Sequence, residues 1–133
     1  MLAEELKLKT RIVDENRSAV LIAPFVSREA YEIRVFPKRH LPRFEDTSPR
    51  ELRDVVAMLQ SGIKRLKRYL GDPDFNFFIH TAPLKDRARY RYYHWHIEII
   101  PKITIIGGFE LSTGVDINVI GPEKAAAVLR GRE

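Results

Sequence analysis

Apolar and polar residues alternate in two rhythms along this chain, and the changes of rhythm mark its elements. Leu52, Val55, Val56, Leu59, Ile63, Leu66 and Leu70 fall three and four apart, with Arg53, Lys64, Lys67 and Arg68 opposite. That spacing predicts one long amphipathic helix. Ser48-Pro49-Arg50-Glu51 opens it with an N-cap hydroxyl, a proline at the first helical position and an acid placed for a capping box. Gly71 and then Pro73 close it. The basic outer side is what any solvated helix needs.

Elsewhere the rhythm is that of strands. Residues 11–14 read as a first strand, turned at Glu15-Asn16-Arg17-Ser18 into a second at 19–23. The second is apolar throughout, which predicts cover on both faces. Residues 31–36 form a third, with Tyr31, Ile33 and Val35 on one side, and residues 75–80 a fourth. Residues 92–101 form a fifth, rich in aromatic and β-branched residues and closed by Pro101. Short helices are expected at 2–8 and from Pro122-Glu123 onward, carrying Ala125, Val128 and Leu129. Residues 81–91 read as a basic loop, 102–108 as irregular and 109–114 as a turn-bearing segment, while 115–120 alternate apolar and polar. Short connections in this order predict an α+β fold: an antiparallel sheet of about five strands with one long helix and a C-terminal helix.

The 133 residues suit a single domain spanning 1–133, and 44% hydrophobic content is enough for a core. No apolar run is long enough for a transmembrane helix, and the acidic N-terminus has no signal core. With no cysteine, disulfides, thiol nucleophiles and Cys-ligated zinc are excluded. A cytoplasmic setting follows as the default. The formal charge of +5 points to an anionic partner, nucleic acid or a phosphorylated small molecule. One Gln and three Asn beside many Arg, Lys and Glu suit a thermophilic source.

The fifth strand carries the candidate chemistry. Alternation puts Tyr93, Trp95, Ile97 and Ile99 on one face and His94, His96 and Glu98 on the other. His80, on a neighbouring strand, can join the two histidines, since adjacent strands lie about 4.8 Å apart. Three imidazoles with an oxygen suit zinc or iron. His40, in a basic turn, reads equally well as a surface residue.

These pieces resemble a known family. A strand ending in His-x-His-x-Glu is similar to the histidine-triad superfamily of nucleotide hydrolases and transferases. From about Leu2 to Arg130 the chain resembles the C-terminal half of the hexose-1-phosphate uridylyltransferases. The resemblance is carried by Ala30-Tyr31-Glu32 leading into Phe36-Pro37-Lys38-Arg39-His40, Asn76-Phe77 with Ile79-His80-Thr81-Ala82-Pro83, His94-Trp95-His96, Gly108-Phe109-Glu110, Thr113-Gly114 with Ile117-Asn118, and Pro122-Glu123-Lys124-Ala125-Ala126. It implies a histidine-triad-like fold, a metal on His80, His94 and His96, and hexose contacts from Glu110 and, one residue out of register, Asn118. It also implies nucleotidyl transfer in galactose metabolism, with UDP-glucose and hexose 1-phosphate as substrates.

The departures shape the expectation. His-Pro-His-x-Gln, which carries the family's nucleophile, is absent, as is the carboxylate that completes the family's metal shell. The chain is therefore expected to be a separately encoded half or a fragment that works with an N-terminal half. Homo-oligomerisation is expected too, because a sheet edge is left uncovered. The rival readings are a stand-alone hydrolase or transferase with His96 as nucleophile, and a non-catalytic module for nucleotides or sugar phosphates. A third, RNA binding through the basic helix face and the Arg87-to-Arg91 loop, is the least favoured; neither nucleic acid nor membrane is expected as a partner.

Overall fold

The computed structural model describes residues 2–103, 108–115 and 118–132, without the side chain of Glu110. Helix α1 (Leu2–Leu8) leads into strands β1 (Ile12–Glu15), β2 (Ala19–Ile22) and β3 (Ile33–Pro37). Helix α2 (Pro49–Leu70), strands β4 (Phe75–His80) and β5 (His96–Pro101), and helices α3 (Gly108–Thr113) and α4 (Pro122–Leu129) follow. The strands form one sheet in the order β1-β2-β3-β5-β4, every neighbouring pair antiparallel. The expected α+β architecture is thus observed.

The sheet buries its faces unequally. On one side Ala19, Leu21, Ile33, Val35, Trp95, Ile97 and Ile99 pack with Val55, Met58 and Leu66 of α2 and with Ala125, Ala126 and Leu129 of α4. On the other, a smaller cluster of Ile12, Val20, Ile22 and Phe36 is covered by Leu2 and Leu6 of α1. β2 feeds both clusters, so its unbroken apolar run is buried on both faces. The candidate site lies on this second face, where His96 stacks on Phe36.

Helix α2 begins and ends where its sequence signals stand. Ser48 accepts from the Glu51 backbone while the Glu51 side chain reaches back, and Gly71 takes a left-handed φ of 75°. Its contact line differs from the predicted stripe: Val55, Met58, Gly62 and Leu66 are buried, and Val56 turns outward. The reason is Gly62. A Cβ there would stand 2.9 Å from Ile33 Cδ1 and 3.4 Å from Ile99 Cδ1, so the missing side chain lets the helix lie flush on β3 and β5. A glycine carries no hydrophobic signal, and the stripe read from the sequence is displaced to one side of it.

Two further expectations are corrected. Residues 109–114 are no mere turn: 108–113 form α3, whose Ser112 and Thr113 hydroxyls donate back to the Phe109 carbonyl. Of the alternating segment 115–120, residues 116 and 117 lie outside the described residues, and the rest is not strand. Residues 104–107 of the segment expected to be irregular also lie outside them.

Candidate functional site

The fifth strand starts later than the sequence predicts, and this decides which histidines meet. Tyr93 N donates to Tyr90 O and Trp95 N to Leu41 O, so the backbone before His96 is bonded to loops and not to a neighbouring strand. Tyr93 consequently leaves the apolar face and lines a cavity of about 530 Å³ under α1, with Leu2, Leu6, Phe36, His94 and His96. His94 also swings away. Its Nε2 lies 2.7 Å from Pro37 O, and its ring stands 5.2 Å from that of His40. His40 Nε2 in turn lies 2.7 Å from Arg91 O. Burial holds the His94 pKa below its ordinary value.

From His96 onward the antiparallel register governs. It pairs His80 with His96, Phe78 with Glu98 and Arg34 with Glu98. The rings of Phe36, His96 and His80 stack across three strands with centroids 4.7 and 4.8 Å apart, the spacing of the strands themselves. His80, His96 and buried Glu98 each turn a ligand atom inward, all within 4.8 Å of one another. Glu98 Oε2 lies 3.1 Å from His80 Nε2 and 3.9 Å from His96 Nε2.

The ring nitrogens are set up unequally. His96 Nδ1 lies 3.1 Å from the carbonyl two residues back, His94 O. As the donor tautomer it leaves Nε2 with a free lone pair facing Glu98. Burial pushes the His96 pKa down to about 4, so the ring is neutral near pH 7. His80 Nε2, although close to Glu98, makes no aligned hydrogen bond and is buried without a hydrogen-bond partner. An orphaned buried nitrogen beside a buried carboxylate oxygen and a second free imidazole nitrogen is a donor set that suits zinc or ferrous iron.

The sequence reading grouped His80, His94 and His96. The structure brings His80 and His96 together with Glu98, while the His94 ring lies against Pro37 O and its carbonyl faces His96 Nδ1. Asn118 donates to Ser27 Oγ and Glu29 O and accepts from Ile120 N, so it ties the 27–29 loop to the approach to α4. Glu110 sits in α3, and its side chain lies outside the described residues. Sequence reasoning gave neither Glu32 nor Arg34 a part at the site. Arg34 Nε is 3.4 Å from Glu98 Oε2, and its guanidinium donates to Glu32 at 2.6 and 2.9 Å. Alternation does place Arg34 opposite Ile33 and Val35, but only the register of β3 against β5 sets it beside Glu98.

No protein-family model matches the chain. Among curated proteins, an ADP-glucose phosphorylase from Arabidopsis thaliana is 35% identical over 127 residues, covering 95% of this chain and 36% of that protein. A galactose-1-phosphate uridylyltransferase from Thermotoga maritima is 28% identical over 131 residues, covering 92% of this chain and 41% of that one. The chain is a homologue of these two proteins. The crystal structure of the Arabidopsis phosphorylase with bound ADP-glucose matches it with a TM-score of 0.87 and 35% identity, over 97% of this chain and 42% of that one. The homologue described here thus spans about two fifths of the length of its relatives, and it fits a C-terminal half of such a protein. A Hit-like protein from Bartonella henselae, 18% identical, matches 98% of the chain with a TM-score of 0.68. At that identity it shows the fold alone, which is histidine-triad-like.

Proposed function

We propose that this chain serves as the C-terminal half of a UDP-glucose–hexose-1-phosphate uridylyltransferase, supplying a metal centre and contacts to the sugar phosphate. The observation that carries this reading is the convergence of His80, His96 and Glu98 around an orphaned ring nitrogen, on a fold homologous to nucleotide-sugar enzymes. His80, His96 and Glu98 hold the metal, zinc or iron, and His94 orients His96 through its carbonyl. Bound there, the metal would cross-link β4 to β5 and fix the two rings. Glu110 and Asn118 are the proposed contacts to the hexose, and galactose metabolism is the proposed setting.

Nucleotidyl transfer needs an unprotonated imidazole in line with the α-phosphorus, with donors ready for charge on the phosphoryl oxygens. His96 has the neutral ring and the free Nε2. Against it stands Glu98, a buried carboxylate 3.9 Å from that nitrogen, which repels an approaching phosphate. A His96 lone pair engaged by metal cannot also attack phosphorus. The chain therefore needs a partner carrying His-Pro-His-x-Gln, proposed to be a separately encoded N-terminal half. Isotope exchange between UDP-glucose and glucose 1-phosphate tests this. Exchange should be absent with this chain alone and present once the partner is added. Exchange by this chain alone, abolished by His96→Gly, would give His96 the catalytic part instead.

A second reading is favoured by the 35% identity to a phosphorylase crystallised with ADP-glucose. In it the donor is an adenine nucleotide sugar and the acceptor is inorganic phosphate. The same reconstituted pair, offered ADP-glucose and phosphate, separates the two.

The proposal includes self-association. β4 is an edge strand exposing Phe77, Phe78 and Ile79, with no proline and no charged residue beyond His80. Such an edge invites pairing with another chain.

A further inference from the structure

Glu32, Arg34 and Glu98 form a row of charges across β3 and β5, and the proposed function gives Glu32 and Arg34 no part. The side chain of Glu32 is 0% exposed and that of Glu98 5%. Glu32 Oε1 takes both guanidinium bonds from Arg34, while its Oε2 accepts from Arg28 N at 2.7 Å. Glu32 is thereby fully satisfied, and Arg34 spends most of its charge on it. The contact from Arg34 to Glu98 is longer, 3.4 Å, and is no aligned hydrogen bond among those described. Tyr31, just before Glu32, takes a left-handed φ of 61°. A non-glycine residue is held there only where its surroundings demand it, and here the bend carries the chain from the exposed loop into buried Glu32.

The balance of charge follows directly. Two buried carboxylates share one guanidinium, so one negative charge is left over, and the geometry leaves it on Glu98. A buried and unmatched carboxylate is strongly unfavourable. Apart from Arg34 Nε at 3.4 Å, the atoms around Glu98 Oε2 are the two ring nitrogens of His80 and His96. A divalent cation seated among Glu98 Oε2 and the two ring nitrogens meets the deficit.

We infer that Glu32 is a positioning residue for the metal centre: by holding Arg34 to itself, it keeps the charge of Glu98 free for a cation. It acts through Arg34 and touches neither the metal nor the substrate. The inference rests on the cation-site reading above and adds to it the residue that sets the charge of that site.

The test measures affinity for zinc and for cobalt by competition with a chromophoric chelator near pH 7, with circular dichroism to confirm folding. Glu32→Gln leaves Arg34 free to neutralise Glu98, and affinity should fall at least tenfold. The double variant Glu32→Gln/Arg34→Gln removes one charge of each sign and restores the surplus on Glu98. Its affinity should return to within about threefold of the wild type, the margin left for context dependence. A merely structural role predicts the reverse, with the double variant worse than the single. Arg34→Gln alone should bind at least as tightly as the wild type, which keeps the question decidable if Glu32→Gln does not fold. Unchanged affinity in Glu32→Gln, or a double variant no better than the single, would overturn the role of Glu32 while leaving the metal centre standing. No binding by the wild type would overturn both.

Discussion

The close seat of α2 on the sheet can be tested by filling the space that Gly62 leaves. In Gly62→Ala the new methyl would stand 2.9 Å from Ile33 Cδ1 and 3.4 Å from both Ile99 Cδ1 and Leu21 Cδ1. Carbon atoms prefer roughly 3.5–4.0 Å, so the overlap with Ile33 is at least about 0.6 Å. Ile33 is fully buried and has little room to turn. Overpacking of this kind costs about 1–3 kcal/mol, and removing a mid-helix glycine returns about 1 kcal/mol. The net expectation is a loss of about 1 kcal/mol. Ile33→Val deletes the clashing Cδ1 and by itself costs about 1 kcal/mol. In the double variant the new methyl enters the space the old one left, so the loss should be no larger than for Ile33→Val alone. Urea denaturation of all four proteins, read at constant m-value, closes the cycle. A coupling of about 1–2 kcal/mol is expected; additivity within about 0.3 kcal/mol would refute the packing argument.

Three further outcomes are expected. His80→Ala and His96→Ala should each abolish stoichiometric zinc or iron in protein purified without chelator. His94→Ala keeps the main-chain carbonyl that faces His96 Nδ1, so it should lose less than about tenfold in affinity; equal loss in all three would return His94 to the metal shell. Glu51, held by Arg39 and Ser48, has its pKa lowered from 4.5 to about 2, so its contribution is present above pH 4.5 and lost as pH falls toward 2. Gln at the same position still serves the capping box, so Glu51→Gln loses chiefly the exposed pair to Arg39. It should cost less than about 1 kcal/mol at neutral pH and flatten the acid limb of the stability profile; an unchanged limb would remove Glu51 from that role. Sedimentation at micromolar concentration should show a dimer or larger that Ile79→Lys dissociates, whereas a wild-type monomer of 15.5 kDa would count against pairing at β4.

What the sequence disclosed follows the range of the interactions. The ends of α2 are legible because capping is local: Ser48, Pro49, Glu51 and Gly71 act within a few residues of themselves. The double cover of β2 is legible because four apolar residues in a row admit little else. The start of β5 is not legible, because it depends on Trp95 N finding Leu41 O, more than fifty residues away in sequence. That one bond separates His94 from His96. Arg34 beside Glu98 is invisible for the same reason, since strand register is a property of two segments at once. Gly62 was hidden in another way: the contact is made by an atom that is absent.

Trp95 has a practical consequence. It is the only tryptophan in the chain, sits fully buried between His94 and His96 in sequence, and meets Phe44 edge-on at 5.1 Å. Its indole nitrogen has no partner among the described residues, so its emission should be blue-shifted and sensitive to any polar intrusion. The ring hangs from the backbone that leads straight into the candidate metal centre, on the opposite side of the sheet. A paramagnetic ion such as cobalt, seated one sheet-thickness away, would quench it. The unlabelled protein thus contains its own optical gauge, through which occupancy of the centre and unfolding of the core can be followed in one cuvette and told apart by intensity and wavelength.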